Sequence, residues 1–120
     1  AEDNPENQLV VQEFLKRRGW TVVTVPDGKA ALASLQEGAF DAVLMDVQMP
    51  QMDGYEATRA LREREHASGR PTRTPVVGLT AHAMRGDKEK CLEAGMDDYL
   101  PKPVEAEALY AVIERLVRAP

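Results

Sequence analysis

The feature that most constrains this chain is an alternation. Short apolar or β-branched runs are separated by longer segments whose apolar residues recur every three or four positions. Thr21–Val25, closed by Pro26, Asp27 and Gly28, has the composition of a strand running into a turn. Ala42–Met45 is apolar without alternation, which predicts a strand buried on both faces and ended by Asp46. Pro75–Thr80 repeats that pattern, and Tyr99–Leu100 predicts one more short strand. Asn4 followed by Pro5 predicts a helix cap, with Leu9, Val10, Phe14 and Leu15 on one side and an end near Gly19. Asp27 caps a second helix through Ala30, Ala31, Leu32 and Leu35 to Gly38. Tyr55, Thr58, Leu61 and Arg62 begin a third that fades by His66. The polar stretch Ala67–Thr74 predicts a surface loop. A fourth helix is expected from about Arg85 to Ala94, stopped by Gly95, and Leu109, Val112, Ile113, Leu116 and Val117 close the chain with an amphipathic helix.

Strands alternating with helices favour a parallel sheet covered on both faces, because parallel neighbours require crossover connections. The expected class is therefore doubly wound α/β. With 120 residues there is room for one such domain, spanning residues 1–120, and not for two separate cores. The formal charge of −5 disfavours direct contact with nucleic acid. No apolar run is long enough to span a bilayer or to form a signal-peptide core, so this domain is expected to make no membrane contact. Cys91 is the only cysteine; it supports no disulfide or zinc cluster, fits a reducing compartment, and is expected near a core on a helix.

In open parallel sheets, ligands bind beyond the carboxyl ends of the strands. There the chain places Glu2 and Asp3 ahead of the first helix, Asp46, Thr80 and Lys102. Carboxylates brought together repel by roughly 4 kcal/mol per pair at about 4 Å and an effective dielectric near 20, so they raise one another's pKa or recruit a cation. Hard oxygen donors select Mg²⁺, with Mn²⁺ satisfying the same set. A carboxylate beside such a cation is a nucleophile toward phosphorus, which suits Asp46; Lys102 and the Thr80 hydroxyl would then hold phosphoryl oxygens.

These residues, Glu2–Asp3–Asn4, Leu44–Met45–Asp46–Val47–Gln48–Met49–Pro50, Met52–Asp53–Gly54, Thr80–Ala81 and Lys102–Pro103, give the chain a close resemblance to response-regulator receiver domains, the phosphoacceptor modules of two-component signalling. The opening Glu-Asp-Asn-Pro-Glu-Asn-Gln and the stretch Leu79–Met84 look most like receivers of hybrid sensor histidine kinases. The resemblance implies a flavodoxin-like sheet of five parallel strands in the order 2-1-3-4-5. It further implies that Asp46 accepts a phosphoryl group from a phosphohistidine of a histidine kinase or histidine phosphotransfer domain. Asp3 would be the main Mg²⁺ ligand, supported by Glu2, Asp46 and the backbone carbonyl of Gln48. Thr80 and Tyr99 would act as switch residues, Gln48 and His82 would tune dephosphorylation, and a cis peptide between Lys102 and Pro103 would aim the lysine. Such a domain catalyses its own aspartyl phosphorylation and dephosphorylation and is not a conventional enzyme. It works in the cytoplasm, although its parent chain is free to be membrane-anchored.

The chain departs from the family in one respect: only Ala1 precedes Glu2, where receivers carry their apolar first strand. That strand is central, so the expectation is that it is missing or truncated in this sequence, which either starts inside a longer chain or has its gap filled by another segment. Two other functions fit the residues less well. A phosphohydrolase acting on outside substrates would need a second catalytic acid and a substrate pocket, and a phosphate-independent docking module would leave the acidic site without a task.

Overall fold

The sheet is organised around the run Val76–Thr80, in which every residue is buried. A strand covered on both faces carries no polar side chain that needs water, and this run carries only the Thr80 hydroxyl. In the computed structural model, which describes residues 1–37, 40–49, 52–68, 73–81 and 85–118, it lies between two parallel neighbours. The elements in chain order are α1 (Pro5–Arg17), α2 (Gly28–Glu37), β1 (Val43–Asp46), α3 (Gly54–Ser68), β2 (Val76–Thr80), α4 (Arg85–Ala94), β3 (Asp98–Pro101) and α5 (Ala106–Arg118). The sheet order is β1-β2-β3, with Asp46 in register with Leu79 and Leu79 with Leu100. Asp46 is thus the last residue of its strand, one position further in than the apolar run suggests.

The five-stranded order is realised only in its 3-4-5 part. Thr21–Val25, expected as a strand, carries no ladder, and the reason is local. A strand needs a neighbour for its backbone groups, and among the described residues the backbone bond to this segment comes from the short Ala1–Glu2 stretch. Ala1 donates to the Leu44 carbonyl at 2.6 Å and accepts from the Asp46 N–H at 3.0 Å, while the Glu2 N–H donates to Val25 at 3.0 Å. Those two residues hold the place of the expected first strand, between β1 and the 21–25 segment. Alongside them lies an apolar cavity of about 130 Å³, lined by residues such as Val11, Leu15, Val22, Val25, Val43 and Leu44. This leaves Val43 and Leu44 half-buried, although the apolar run predicts a strand covered throughout.

Two cores flank the sheet. One gathers Ala31, Leu32, Met45, Val47, Ala57, Leu61, Val76, Cys91 and Met96 under α2, α3 and α4. The other gathers Val77, Leu79, Leu100, Leu109 and Ile113 under α5 and α1. Helix α1 starts as expected, with the Asn4 side chain accepting from the Glu6 and Asn7 N–H groups. Its inward face is Val11, Phe14 and Leu15, whereas Leu9 and Val10, expected on the apolar side, point to solvent at 65% and 47% exposure. The spacing of three and four residues holds from Val11 onward and excludes the first two. Helix α3 opens at Gly54 and runs to Ser68, two residues past His66.

Candidate functional site

At the carboxyl end of the sheet, Glu2, at the foot of α1, and Asp46, ending β1, are both buried, with residue exposures of 6% and 2%. Lys102, just past β3, reaches between them. Its ammonium lies 2.5 Å from Asp46 Oδ2 and 3.1 Å from Glu2 Oε2. Asp3 is exposed on the rim, and the ligand oxygens of Glu2, Asp3 and Asp46 all fall within 4.8 Å of one another. These residues line an open cleft together with Asn4, Asn7, Gln48 and Asp53.

Charge in this cleft is out of balance, with four lining carboxylates, Glu2, Asp3, Asp46 and Asp53, and one lining ammonium, Lys102, among the described residues. Burial pushes the Asp46 carboxyl up, side-chain hydrogen bonding with Glu2 pushes it further, and Lys102 opposes both; the result is a pKa of about 6. Burial acts on Glu2 in the same sense, yet hydrogen bonds from Asp46, Asn7 and Lys102 outweigh it and hold Glu2 below the usual carboxylate range. Burial would lower the Lys102 ammonium, but the two carboxylates hold it above its ordinary value. A carboxyl pushed upward and a lysine wedged between two acids are the responses of a site built for more positive charge than its side chains supply. An all-oxygen donor set of this size fits a Mg²⁺-like cation, which Glu2, Asp3 and Asp46 could hold.

The other predicted residues are distributed around this centre. Thr80 ends β2 one position beyond Leu79, the register partner of Asp46, and is 2% exposed; its carbonyl accepts from the Lys102 N–H at 2.7 Å. Gln48 lines the cleft, and its N–H donates to Asp46 Oδ1 at 3.1 Å. Tyr99 is half-buried in β3 against the first core. The Lys102–Pro103 peptide is cis. His82 lies outside the described residues, as does Pro50.

Sequence reasoning missed three contributors. Gly54 packs so tightly that a Cβ there would sit 2.3 Å from the Asp46 carbonyl oxygen, so a bare backbone lets the first turn of α3 press against the end of β1. From the first turn of α1, Asn7 Nδ2 donates to Glu2 Oε1 at 2.9 Å and Gln8 Nε2 donates to the Glu2 carbonyl at 2.5 Å. The available signal was that Asn7 stands at the third helical position after the Asn4 cap, where side chains turn back toward the cap.

Comparison with known proteins agrees with this geometry. The family pattern for the response regulator receiver domain matches residues 1–114. The sensor protein GacS of Pseudomonas syringae pv. syringae is 50% identical over 113 residues, covering 94% of this chain and 12% of that protein. The receiver domain of the sensor histidine kinase PA1611 from Pseudomonas aeruginosa, solved with a magnesium ion in its active-site cleft, superposes with a TM-score of 0.88 at 42% identity, covering 99% of this chain and 94% of that one. A receiver from Saccharomyces cerevisiae, that of Ssk1 in complex with the histidine phosphotransfer protein Ypd1, gives a TM-score of 0.91 at 33% identity, covering 96% and 83%. The chain belongs to the response-regulator receiver domains and has the flavodoxin-like fold of that family, with the first strand truncated. Its relatives are hybrid sensor histidine kinases, and it spans about an eighth of the GacS length.

Proposed function

We propose that this domain is a phosphoacceptor switch in which Asp46 takes a phosphoryl group from a phosphohistidine. The observation that carries the reading is the buried Asp46 carboxylate, held by Lys102 at 2.5 Å inside an acidic cleft. A carboxylate oxygen of Asp46 attacks phosphorus as the P–N bond to the donor imidazole breaks, and the imidazole leaves with its electron pair and takes up a proton. Bound Mg²⁺ would supply neutralising charge for the phosphoryl oxygens, held by Glu2, Asp3, Asp46 and the Gln48 carbonyl. Lys102 then exchanges its contact with the Asp46 carboxylate for one with a phosphoryl oxygen, and Thr80, at the adjacent strand end, donates its hydroxyl to another.

The added charge draws Thr80 and the segment after it inward, and the surface of α4, β3 and α5 carries the change, with Tyr99 following in β3. Gln48 and His82 would set how fast water removes the phosphoryl group. The donor is a histidine kinase or histidine phosphotransfer domain, a reading supported by the Ypd1 complex of a similar receiver and by the kinase relatives, and the proposed compartment is the cytoplasm. Among the described residues no helix is long and apolar enough to cross a membrane.

The test is labelling from acetyl phosphate, with and without Mg²⁺, followed by intact mass. The expected result is one phosphoryl group on the wild type, dependent on Mg²⁺, and none on Asp46→Asn. Labelling of the Asn variant to the wild-type level would overturn the assignment.

A further inference from the structure

A helix cap has to satisfy the N–H groups of its first turn, and in a capping box the residue at the third helical position turns its side chain back to the cap N–H. Here Asn4 is the cap, and Pro5, Glu6 and Asn7 are the first three helical residues. Asn7 does not serve the cap N–H. Its amide donates to Glu2 Oε1 at 2.9 Å, and the Asn4 N–H turns to the same oxygen at 3.4 Å. A metal-site acid has thus been built into the helix cap as its acceptor. With Oε1 held by α1, the other oxygen, Oε2, faces Lys102 at 3.1 Å. The opening run Glu2–Asn7 is part of what makes the chain resemble hybrid-kinase receivers, yet that resemblance gives a role to Glu2 and Asp3 and none to Asn7.

We propose that Asn7 is a positioning residue for the divalent-cation site: its side-chain amide locks the Glu2 carboxylate in the orientation that presents one oxygen to the cleft. Gln8 fixes the backbone of the same residue through the Glu2 carbonyl at 2.5 Å, so the first turn of α1 grips Glu2 at both ends. Without the Asn7 amide, Oε1 loses its 2.9 Å donor and keeps the long contact from Asn4, and the carboxylate is free to rotate onto Lys102. That rotation strengthens the Glu2–Lys102 pair, which competes with the cation for Glu2 and with the phosphoryl group for the lysine. Partners that orient a metal ligand commonly change affinity by about tenfold or more when removed.

The inference rests on the Mg²⁺ reading of the cleft, and the experiment separates the two. Mg²⁺ affinity is measured by calorimetric titration on the wild type, Asn7→Leu, Asn7→Gln and, as a control on the same helix, Gln12→Leu, which removes a 2.7 Å bond to Thr24. Leucine matches the branched heavy-atom framework of asparagine and favours helix more, so at this exposed position Asn7→Leu should remain folded. The expected result is a Kd for Mg²⁺ raised about tenfold in Asn7→Leu, substantially restored in Asn7→Gln and unchanged in Gln12→Leu. Labelling by acetyl phosphate should fall in Asn7→Leu at low Mg²⁺ and recover when Mg²⁺ saturates. Wild-type affinity in Asn7→Leu, or an equal loss in Gln12→Leu, would overturn the role of Asn7 and leave the Mg²⁺ reading intact. A wild type that does not bind Mg²⁺ would overturn both.

Discussion

The two ends of the sheet each hold a cluster of half-buried charge, and they differ in how that charge is satisfied. At the amino end, Arg62 of α3 spends its guanidinium on Gly95 O, Thr74 O, Glu65 and Asp97, all at 2.8–2.9 Å. Asp97 also accepts from the Val76 N–H at 2.8 Å and from Arg73 at 3.1 Å. The carboxylates there find donors on every side: Glu65 lies below the usual carboxylate range because the Thr74 N–H and Arg62 outweigh its burial. At the carboxyl end, Glu2 and Asp46 share one lysine with Asp3 close by, and Asp46 is pushed up to about 6. A cluster whose groups are all satisfied holds structure together; one left short of positive charge is poised to take up a cation or exchange partners. The same residue types, sorted only by balance, separate a fastener from a reactive site.

Substitutions at the two ends should therefore act oppositely. The largest stability change is expected for Arg62→Met, which takes one donor from each of Asp97, Glu65 and the Gly95 and Thr74 carbonyls. We expect a loss of about 2–3 kcal/mol, read as a lower urea midpoint, with Mg²⁺ affinity unchanged. A weakened Mg²⁺ site in that variant would show that the two ends are coupled and would break the contrast.

Next comes Asp46→Asn, which should abolish phosphoryl uptake and yet stabilise the metal-free fold near neutrality. The sign follows from the raised pKa. The native carboxyl holds a proton that the unfolded one, at 3.8, has already lost. That contribution is complete below 3.8 and disappears as pH rises through about 6, where the ionised, buried group becomes a cost. Relative to wild type, the Asn variant should gain about 1–3 kcal/mol between roughly pH 4.5 and pH 7.5 in chelator, measured by urea unfolding. A relative loss over that range would mean that Lys102 more than balances the acids.

The smallest effect on chemistry is expected at Thr80. Thr80→Ala should still take up the phosphoryl group, within a few-fold of the wild-type rate, while the amide shifts that accompany phosphorylation shrink along α4, β3 and α5. Full-size shifts in the Ala variant would remove Thr80 from the switch.

Much of this was legible in the residues themselves. Periodicity located the five helices and three strands found among the described residues, because burying one face of a helix, or both faces of a strand, constrains composition position by position. Asp46, Thr80 and Lys102 could be read as strand-end groups for the same reason. Thr21–Val25 has as strong a β composition as any run in the chain and forms no strand, since β pairing depends on a neighbour that local composition does not supply. Leu9 and Val10 were misassigned because a helical period fixes a stripe but not which neighbour covers it.

The sequence by itself determined which elements exist and which chemical groups stand at their ends, since both follow from short-range order along the chain. Tertiary structure alone decided that Lys102, a hundred residues from Glu2, lies between two acids, that Asn7 turns away from its own cap, and that Arg62 ties three segments together. Charge balance at a site is a property of distances in space, and those distances are set only when the sheet and its helices pack.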